Sequence, residues 1–267
     1  MRAAPPATRF DLAFSAHTAA GLPGLIPYFT AGFPHLDDTP VLLLAAQRAG
    51  CIAAEIGIPF SDPLADGPTI QRSGTQALRN GMHLRLAVEQ IAEARTLGVS
   101  IPLAPMSYIN PILSYGVDAF ARDAMAAGAD GLIVPDLPDD EASGLREVVH
   151  GAGLALIPLV APTTPAARLG RICAHAAGFV YCVSVTGVTG SRDAIAPEAI
   201  ELLDAVRGCT PLPRALGFGL SRHDHLRALA GRAEAAVVGS ALIDALGGAQ
   251  HDPAGAAERF LRSMLGA

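Results

Sequence analysis

Eight short apolar runs alternate along this chain with longer stretches rich in alanine and leucine, and the alternation predicts an α/β fold. The runs are apolar on both faces, as parallel strands covered on both sides must be. The repeat is roughly 25–35 residues, the size of successive β–α units. Glycine-rich turns follow the late strands: Thr186-Gly-Val-Thr-Gly190, Gly217-Phe-Gly219 and Gly239-Ser240. A doubly wound sheet would place its phosphate loop after the first strand, whereas barrels often bind phosphate after strands 7 and 8. These observations favour a single (β/α)8 TIM barrel over residues 1–267, with an extra helix at each end.

The elements follow in order. A helix over 10–20 precedes the first strand and is placed to plug the N-terminal end of the barrel. Strands are expected at 25–29, 52–58, 101–106, 131–134, 154–160, 179–185, 214–218 and 235–238. Helices are expected at 39–49, 84–97, 117–127, 141–150, 165–175, 197–207 and 222–229. Gly50, Gly98, Gly128, Gly151 and Gly208 stand where those helices should stop. Gly239-Ser240 opens the last core helix directly after a strand. A closing helix over 253–265 starts from Asp252 as a cap. No low-complexity linker or shift of composition marks a domain boundary. The segments 59–69 and 185–196 are long loops, and long loops in compact domains usually carry function.

Composition narrows the chemistry. The chain has 267 residues, 51% hydrophobic and only 16% charged, so a large core can be buried. A net charge of −6 gives no electrostatic footprint for nucleic acid or for an anionic membrane. No apolar run is long enough to cross a bilayer, the N-terminus lacks the apolar region of a signal peptide, and a reducing cytoplasm is the expected location. The four cysteines (Cys51, Cys173, Cys182, Cys209) are widely spaced without a C-x-x-C, and Cys51 and Cys182 read as small buried hydrophobes. All 19 basic residues are arginine. The absence of lysine excludes a Schiff-base aldolase, an internal pyridoxal phosphate aldimine and a P-loop within this chain. The histidines fall mostly in helices, and His223-Asp-His225 alone does not make a metal site, so no metal is expected.

Two carboxylates remain. In Ile52-Ala-Ala-Glu-Ile-Gly-Ile58, period two sets Glu55 with Ala53 and Gly57 and puts Ile52, Ala54, Ile56 and Ile58 on the other face. A face of small residues with one glutamate suggests the barrel lumen, where residues near strand ends serve the site. The structural alternative is a carboxylate paired with arginine. Asp66 stands in a Pro-, Asp- and Gly-rich loop. Its ordinary reading, like that of Asp62, is a turn aspartate bonded to nearby backbone. Two carboxylates in different surroundings differ in pKa, which is how acid and base roles are divided. Without lysine, a phosphate must be held mostly by backbone amides and hydroxyls at the late glycines, with the N-terminus of the last core helix and Arg192 assisting.

The wording of several segments is similar to that of a known family. These are Ile26-Pro-Tyr-Phe-Thr-Ala-Gly-Phe-Pro34, Glu55 through Gln71, Tyr108-Ile-Asn-Pro111, Val134-Pro-Asp-Leu-Pro138, Leu159-Val-Ala-Pro-Thr-Thr-Pro165, Val188-Thr-Gly190, Gly217-Phe-Gly-Leu-Ser221 and Val238-Gly-Ser240. The chain resembles the α subunits of tryptophan synthase nearly end to end, and Pro59–Pro68 is the most specific stretch.

The resemblance implies a barrel that cleaves indole-3-glycerol phosphate to indole and glyceraldehyde 3-phosphate, without Schiff base, metal or cofactor of its own. It implies Glu55 as general acid/base and Asp66 as the partner of the indole N–H. Tyr28, Met106 and Ile133 are expected against the indole ring, with Tyr181 beside the carboxylates. Gly190, Gly219, Gly239 and Ser240 are expected at the phosphate, Phe218 among the substrate contacts, and Thr189 in a loop that orients Asp66 on closure.

The implied partner is a β subunit containing pyridoxal phosphate, in an α2β2 heterotetramer touching the 59–66 loop and the helix after it. The alternative is a stand-alone indole-3-glycerol phosphate lyase. Phe33, Ser107, Ile109, Arg214 and Glu234 depart from the usual wording, none at a catalytic position.

Overall fold

In a computed structural model of the chain, residues 8–18, 21–184, 195–217, 219–249 and 251–267 are described. The elements run α1 (Arg9–Thr18), β1 (Gly24–Thr30), α2 (Thr39–Ala49), β2 (Ala54–Gly57), α3 (Pro68–Arg79), α4 (Leu84–Thr96), β3 (Leu103–Met106), α5 (Ile109–Tyr115), α6 (Val117–Ala126) and β4 (Gly131–Ile133). A 3-10 turn (Asp139–Glu141) leads into α7 (Ser143–Gly151). Then come β5 (Ala155–Ile157), β6 (Leu159–Val160), α8 (Ala166–His175), β7 (Val180–Val183), α9 (Pro197–Cys209), β8 (Arg214–Gly217), α10 (His223–Ala228), β9 (Ala235–Val238), α11 (Ser240–Gly247) and α12 (Pro253–Leu265).

All strands are parallel, in the order β5-β4-β3-β2-β1-β9-β8-β7-β6. The two ends of this sheet, β5 and β6, are consecutive in sequence across Pro158. They are the two halves of the strand expected at 154–160. Proline lacks an N–H, so it interrupts the ladder. The first half pairs with β4 (Ile133 opposite Ile157), and the second pairs with β7 (Leu159 opposite Tyr181). The strand thus changes partners at Pro158, whose carbonyl accepts from the Tyr181 N–H at 3.0 Å, and the barrel closes there.

Two apolar layers hold the barrel. One lies between sheet and helices and includes Leu25, Phe29, Leu42, Ile56, Leu103 and Leu216. The other fills the lumen with Phe10, Phe14, Ile26, Ala53, Ile133, Ile157, Phe179 and Tyr181. The plug expected at the N-terminal end is α1. Its Phe10 and Phe14 rings stand 5.6 and 5.7 Å from that of Phe179. Burying each ring contributes about 1.5–3 kcal/mol.

The structure corrects details of the sequence reading. β2 begins only at Ala54, so period two does not reach Ile52, which packs in the lumen instead of on the outer face. α5 was unexpected. It is short, opens at Tyr108 and ends where Gly116 takes a φ of +93°. The helix expected at 141–150 starts at Ser143, after the 3-10 turn. Arg214 and Glu234, noted separately as departures, are one unit. The guanidinium meets the carboxylate at 2.6 and 3.0 Å and the Leu203 carbonyl at 3.2 Å, and the Arg214 N–H donates to the same carboxylate at 2.7 Å. His223 and His225 are likewise structural, bonding the Met264 carbonyl and the Ser221 N–H.

Candidate active site

At the C-terminal ends of the strands lies a cavity of about 1200 Å³. Tyr28, Met106 and Tyr181 line it from the strands, Asp66 from the loop after β2, and Gly219, Gly239 and Ser240 from the segments after β8 and β9. Residues far apart in sequence are thus brought to one rim, where barrels carry their sites.

Glu55 sits behind this lining, 1% exposed, opposite Tyr28 on β1 and Ala104 on β3. Its neighbours explain its placement. Gly57, two residues on, has no Cβ, and the Tyr28 hydroxyl fills the space a Cβ would take. Gly217 on β8 leaves the same space for the Tyr181 hydroxyl. Neither Glu55 oxygen has a hydrogen-bond partner among the described residues. A buried, unpartnered carboxylate favours its neutral form, and burial pushes Glu55 up to about 8. Burial also raises Tyr28 and Tyr181, and Glu55 adds to both effects.

Asp66 precedes α3, whose first turn opens on Gly67 and Pro68. Burial raises its carboxyl, and a hydrogen bond with Tyr108 pulls it back. The Tyr108 hydroxyl also accepts the Ala65 N–H at 2.9 Å, and its ring lies 5.5 Å from Phe60. Tyr108 therefore grips both ends of the loop that carries Asp66. It stands in a segment quoted for the resemblance, but without a role, because nothing local in Ser-Tyr-Ile-Asn reports a partner 42 residues upstream.

α3 is itself fastened to β1 and the turn after it. Ser73 and Thr30 hydroxyls meet at 2.7 Å, Gln76 donates to the Pro34 carbonyl, and Asn80 donates to Gly32 and Pro34. Gln71 donates to the Asp66 carbonyl at 2.8 Å. The loop carrying Asp66 is thus held from below by polar side chains.

The opposite rim is suited to an anion. Gly239 caps α11, so the free N–H groups and positive end of that helix face the cavity at Ser240. Gly219 takes a φ of +78°, a backbone conformation that glycine adopts freely. Among the described residues no cluster of three His, Cys, Asp or Glu residues has metal-binding geometry.

The cavity does not gather every expected residue. Ile133 is fully buried in the lumen, opposite Met106 in register, and does not line the cavity. Its register neighbours Met106 and Ile157 line the wall together with Val134, while the Ile133 side chain packs in the lumen cluster. Thr189, Gly190, Arg192 and Phe218 lie outside the described residues. Asp136, which accepts the Ile109 N–H at 2.9 Å, also lines the cavity and was not anticipated.

The profile of the family described as "Tryptophan synthase alpha chain" matches residues 14–265. The tryptophan synthase alpha chain of Roseiflexus castenholzii is 48% identical over 87% of this chain and 89% of its own. That of Roseiflexus sp. is 45% identical over 97% and 100%. The crystal structure of tryptophan synthase subunit alpha from Legionella pneumophila superposes with a TM-score of 0.87 at 35% identity, covering 97% of each chain. A chain of Mycobacterium tuberculosis tryptophan synthase does so with a TM-score of 0.89 at 34% identity, covering 98% of each.

Proposed function

We propose a function from one premise: the chain belongs to the tryptophan synthase alpha chain family. It is a carbon–carbon lyase of tryptophan biosynthesis, cleaving indole-3-glycerol phosphate to indole and glyceraldehyde 3-phosphate. The observation that carries the mechanism is Glu55, a buried carboxyl with no hydrogen-bond partner among the described residues, whose burial holds it protonated up to about pH 8, directly behind a cavity with a carboxylate on one rim and a helix N-terminus on the other.

In this reading the substrate's phosphate rests on Gly219, Gly239 and Ser240, with Gly190 and Phe218 completing that side. The indole lies against Tyr28, Met106 and Tyr181, over Ile133. Protonated Glu55 delivers its proton to the ring carbon that bears the glycerol chain. The ring nitrogen then carries positive charge, and the Asp66 carboxylate stabilises it. The glycerol hydroxyl on the adjoining carbon gives up its proton to the Glu55 carboxylate, the carbon–carbon bond breaks, and its electrons return to the ring. Indole and an aldehyde result, and Glu55 is again protonated. A pKa near neutrality suits a group that must give a proton and take one back. Thr189 is assigned to orient Asp66.

Among the described residues no helix is long and apolar enough to cross a membrane, and a cytoplasmic location is proposed. A β-subunit partner is supported by the similarity to tryptophan synthase of M. tuberculosis and to the tryptophan synthase complex of Pyrococcus furiosus. We place the contact at the 59–66 loop and α3, where Leu64 is 90% exposed, in an α2β2 assembly whose pyridoxal phosphate belongs to the partner.

The test is indole formation by the purified chain with and without a β subunit. Stimulation by the partner is expected. Full turnover unchanged by the partner would replace this reading with a stand-alone lyase. Asp66→Asn should abolish indole release while glycerol phosphate still binds; near-normal turnover would remove the carboxylate pair.

A further inference from the structure

An ion pair joins two helices at the rim of the cavity. Arg72 on α3 and Asp244 on α11 are 172 residues apart in sequence, and the guanidinium Nη2 meets the carboxylate at 2.9 Å. The same nitrogen donates to the Thr69 hydroxyl at 3.2 Å. Thr69 and Asp244 both line the cavity. In the sheet β1 lies between β2 and β9, so the helices that follow β2 and β9 come side by side and pack together. Neither segment of sequence announces the pair, which forms only when those strands assemble.

Asp244 is poorly placed for an anion site. It stands four residues after Ser240, one turn along the same face of α11, where Cβ atoms are about 5–6 Å apart. A phosphate monoester carries about −1.5 to −2 charge at neutral pH. A carboxylate so close repels it and works against the positive end of the helix. Both side chains of the pair are more than half exposed, so the pair adds little to stability. Its effect falls on the charge of the rim.

With the phosphate at Gly239 and Ser240, the premise on which this rests, we propose that Arg72 is a positioning residue of the phosphate site. Its guanidinium, held by Thr69 and Asp244, offsets the Asp244 carboxylate and lets the substrate's phosphate settle on α11. Arg72 acts through Asp244, without touching the phosphate. At roughly 6–8 Å across a hydrated rim, an uncancelled carboxylate weakens phosphate binding about fivefold at low salt.

The experiment titrates glycerol phosphate into the native full chain by calorimetry, in salt of about 10 mM and about 0.5 M, with indole as an uncharged control. Arg72→Ala should raise the dissociation constant about fivefold at low salt, and Asp244→Asn should lower it by a similar factor. The double variant should return to within about twofold of the wild type, because it removes one charge of each sign. Arg72→Lys should keep most of the affinity, the high-salt values should converge, and indole binding should not move. In steady state the change should appear in KM for indole-3-glycerol phosphate and leave kcat in place. A double variant as weak as Arg72→Ala would overturn the proposal, since the arginine would then act on the loop or touch the phosphate itself. So would an unchanged dissociation constant in Arg72→Ala, or a change confined to kcat. Gly219→Asp reads the premise. If it too leaves binding unchanged, the phosphate lies elsewhere and both readings fall; if it weakens binding while Arg72→Ala does not, only the role of Arg72 falls.

Discussion

Replacing Glu55 with glutamine tests the buried acid through stability as well as rate. In the unfolded chain this carboxyl titrates near 4.5, and in the fold near 8. The folded value is raised, so the stability it contributes is fully present below 4.5 and is lost as pH rises through about 8. Between these limits the native state keeps a proton that the unfolded chain has released, and stability falls by about 1.4 kcal/mol per pH unit. Across 8 − 4.5 = 3.5 units, the loss is about 5 kcal/mol. Glu55→Gln keeps the shape and cannot ionise. Urea unfolding of both proteins from pH 4.5 to 9 isolates the effect, because all other titrating groups cancel in the difference. The variant's relative stability should climb steadily over that window and level off above it, while its indole formation is lost throughout. A difference that stays flat with pH would refute the argument that burial holds Glu55 in its neutral form. In the wild type, turnover should decline above about pH 8, as the acid is lost before it can protonate the ring.

Other perturbations separate the remaining parts. Gly219→Asp should weaken glycerol phosphate binding by adding a like charge, whereas Gly219→Asn should retain most of it; calorimetric titration of both distinguishes charge from backbone strain. Tyr108→Phe removes the hydroxyl that holds Ala65 and Asp66, and should lower kcat/KM about tenfold, equivalent to one net hydrogen bond of ~1.4 kcal/mol. An unchanged value would show that the loop is positioned by α3 alone. Arg214→Ala strands Glu234 and should destabilise the barrel by about 3 kcal/mol with KM unaltered, read by urea unfolding and steady-state kinetics.

Alternation along a strand is a local property, which is why Glu55 was legible as an inward-facing carboxylate from seven residues of sequence. The same rule failed at Ile52, because the strand starts two residues later and alternation has no meaning outside it. Gly219, Gly239 and Ser240 come together at the cavity rim, where turn chemistry, a local property, had placed them. What stayed hidden depends on closure of the barrel. Arg214 and Glu234 are 20 residues apart and meet only because β8 and β9 are neighbours. Tyr108 reaches Ala65 across β2 and β3 for the same reason. Ile133 is buried in the lumen while its register neighbours Met106 and Ile157 line the cavity, and which of the three side chains reaches the wall depends on packing across the closed barrel.

The two glycine sockets beside Glu55 have an evolutionary consequence. Each tyrosine hydroxyl occupies the volume of a side chain that its neighbouring strand does without. Neither member of a pair is free to drift alone: alanine at Gly57 or Gly217 evicts a ring, and a smaller residue at Tyr28 or Tyr181 opens a hole that water can enter. Water beside Glu55 would solvate its charge and return its acidity toward the ordinary range. Positions 28 with 57, and 181 with 217, should therefore change together across relatives or not at all. The acidity of the Glu55 carboxyl is in this sense inherited through four of its neighbours.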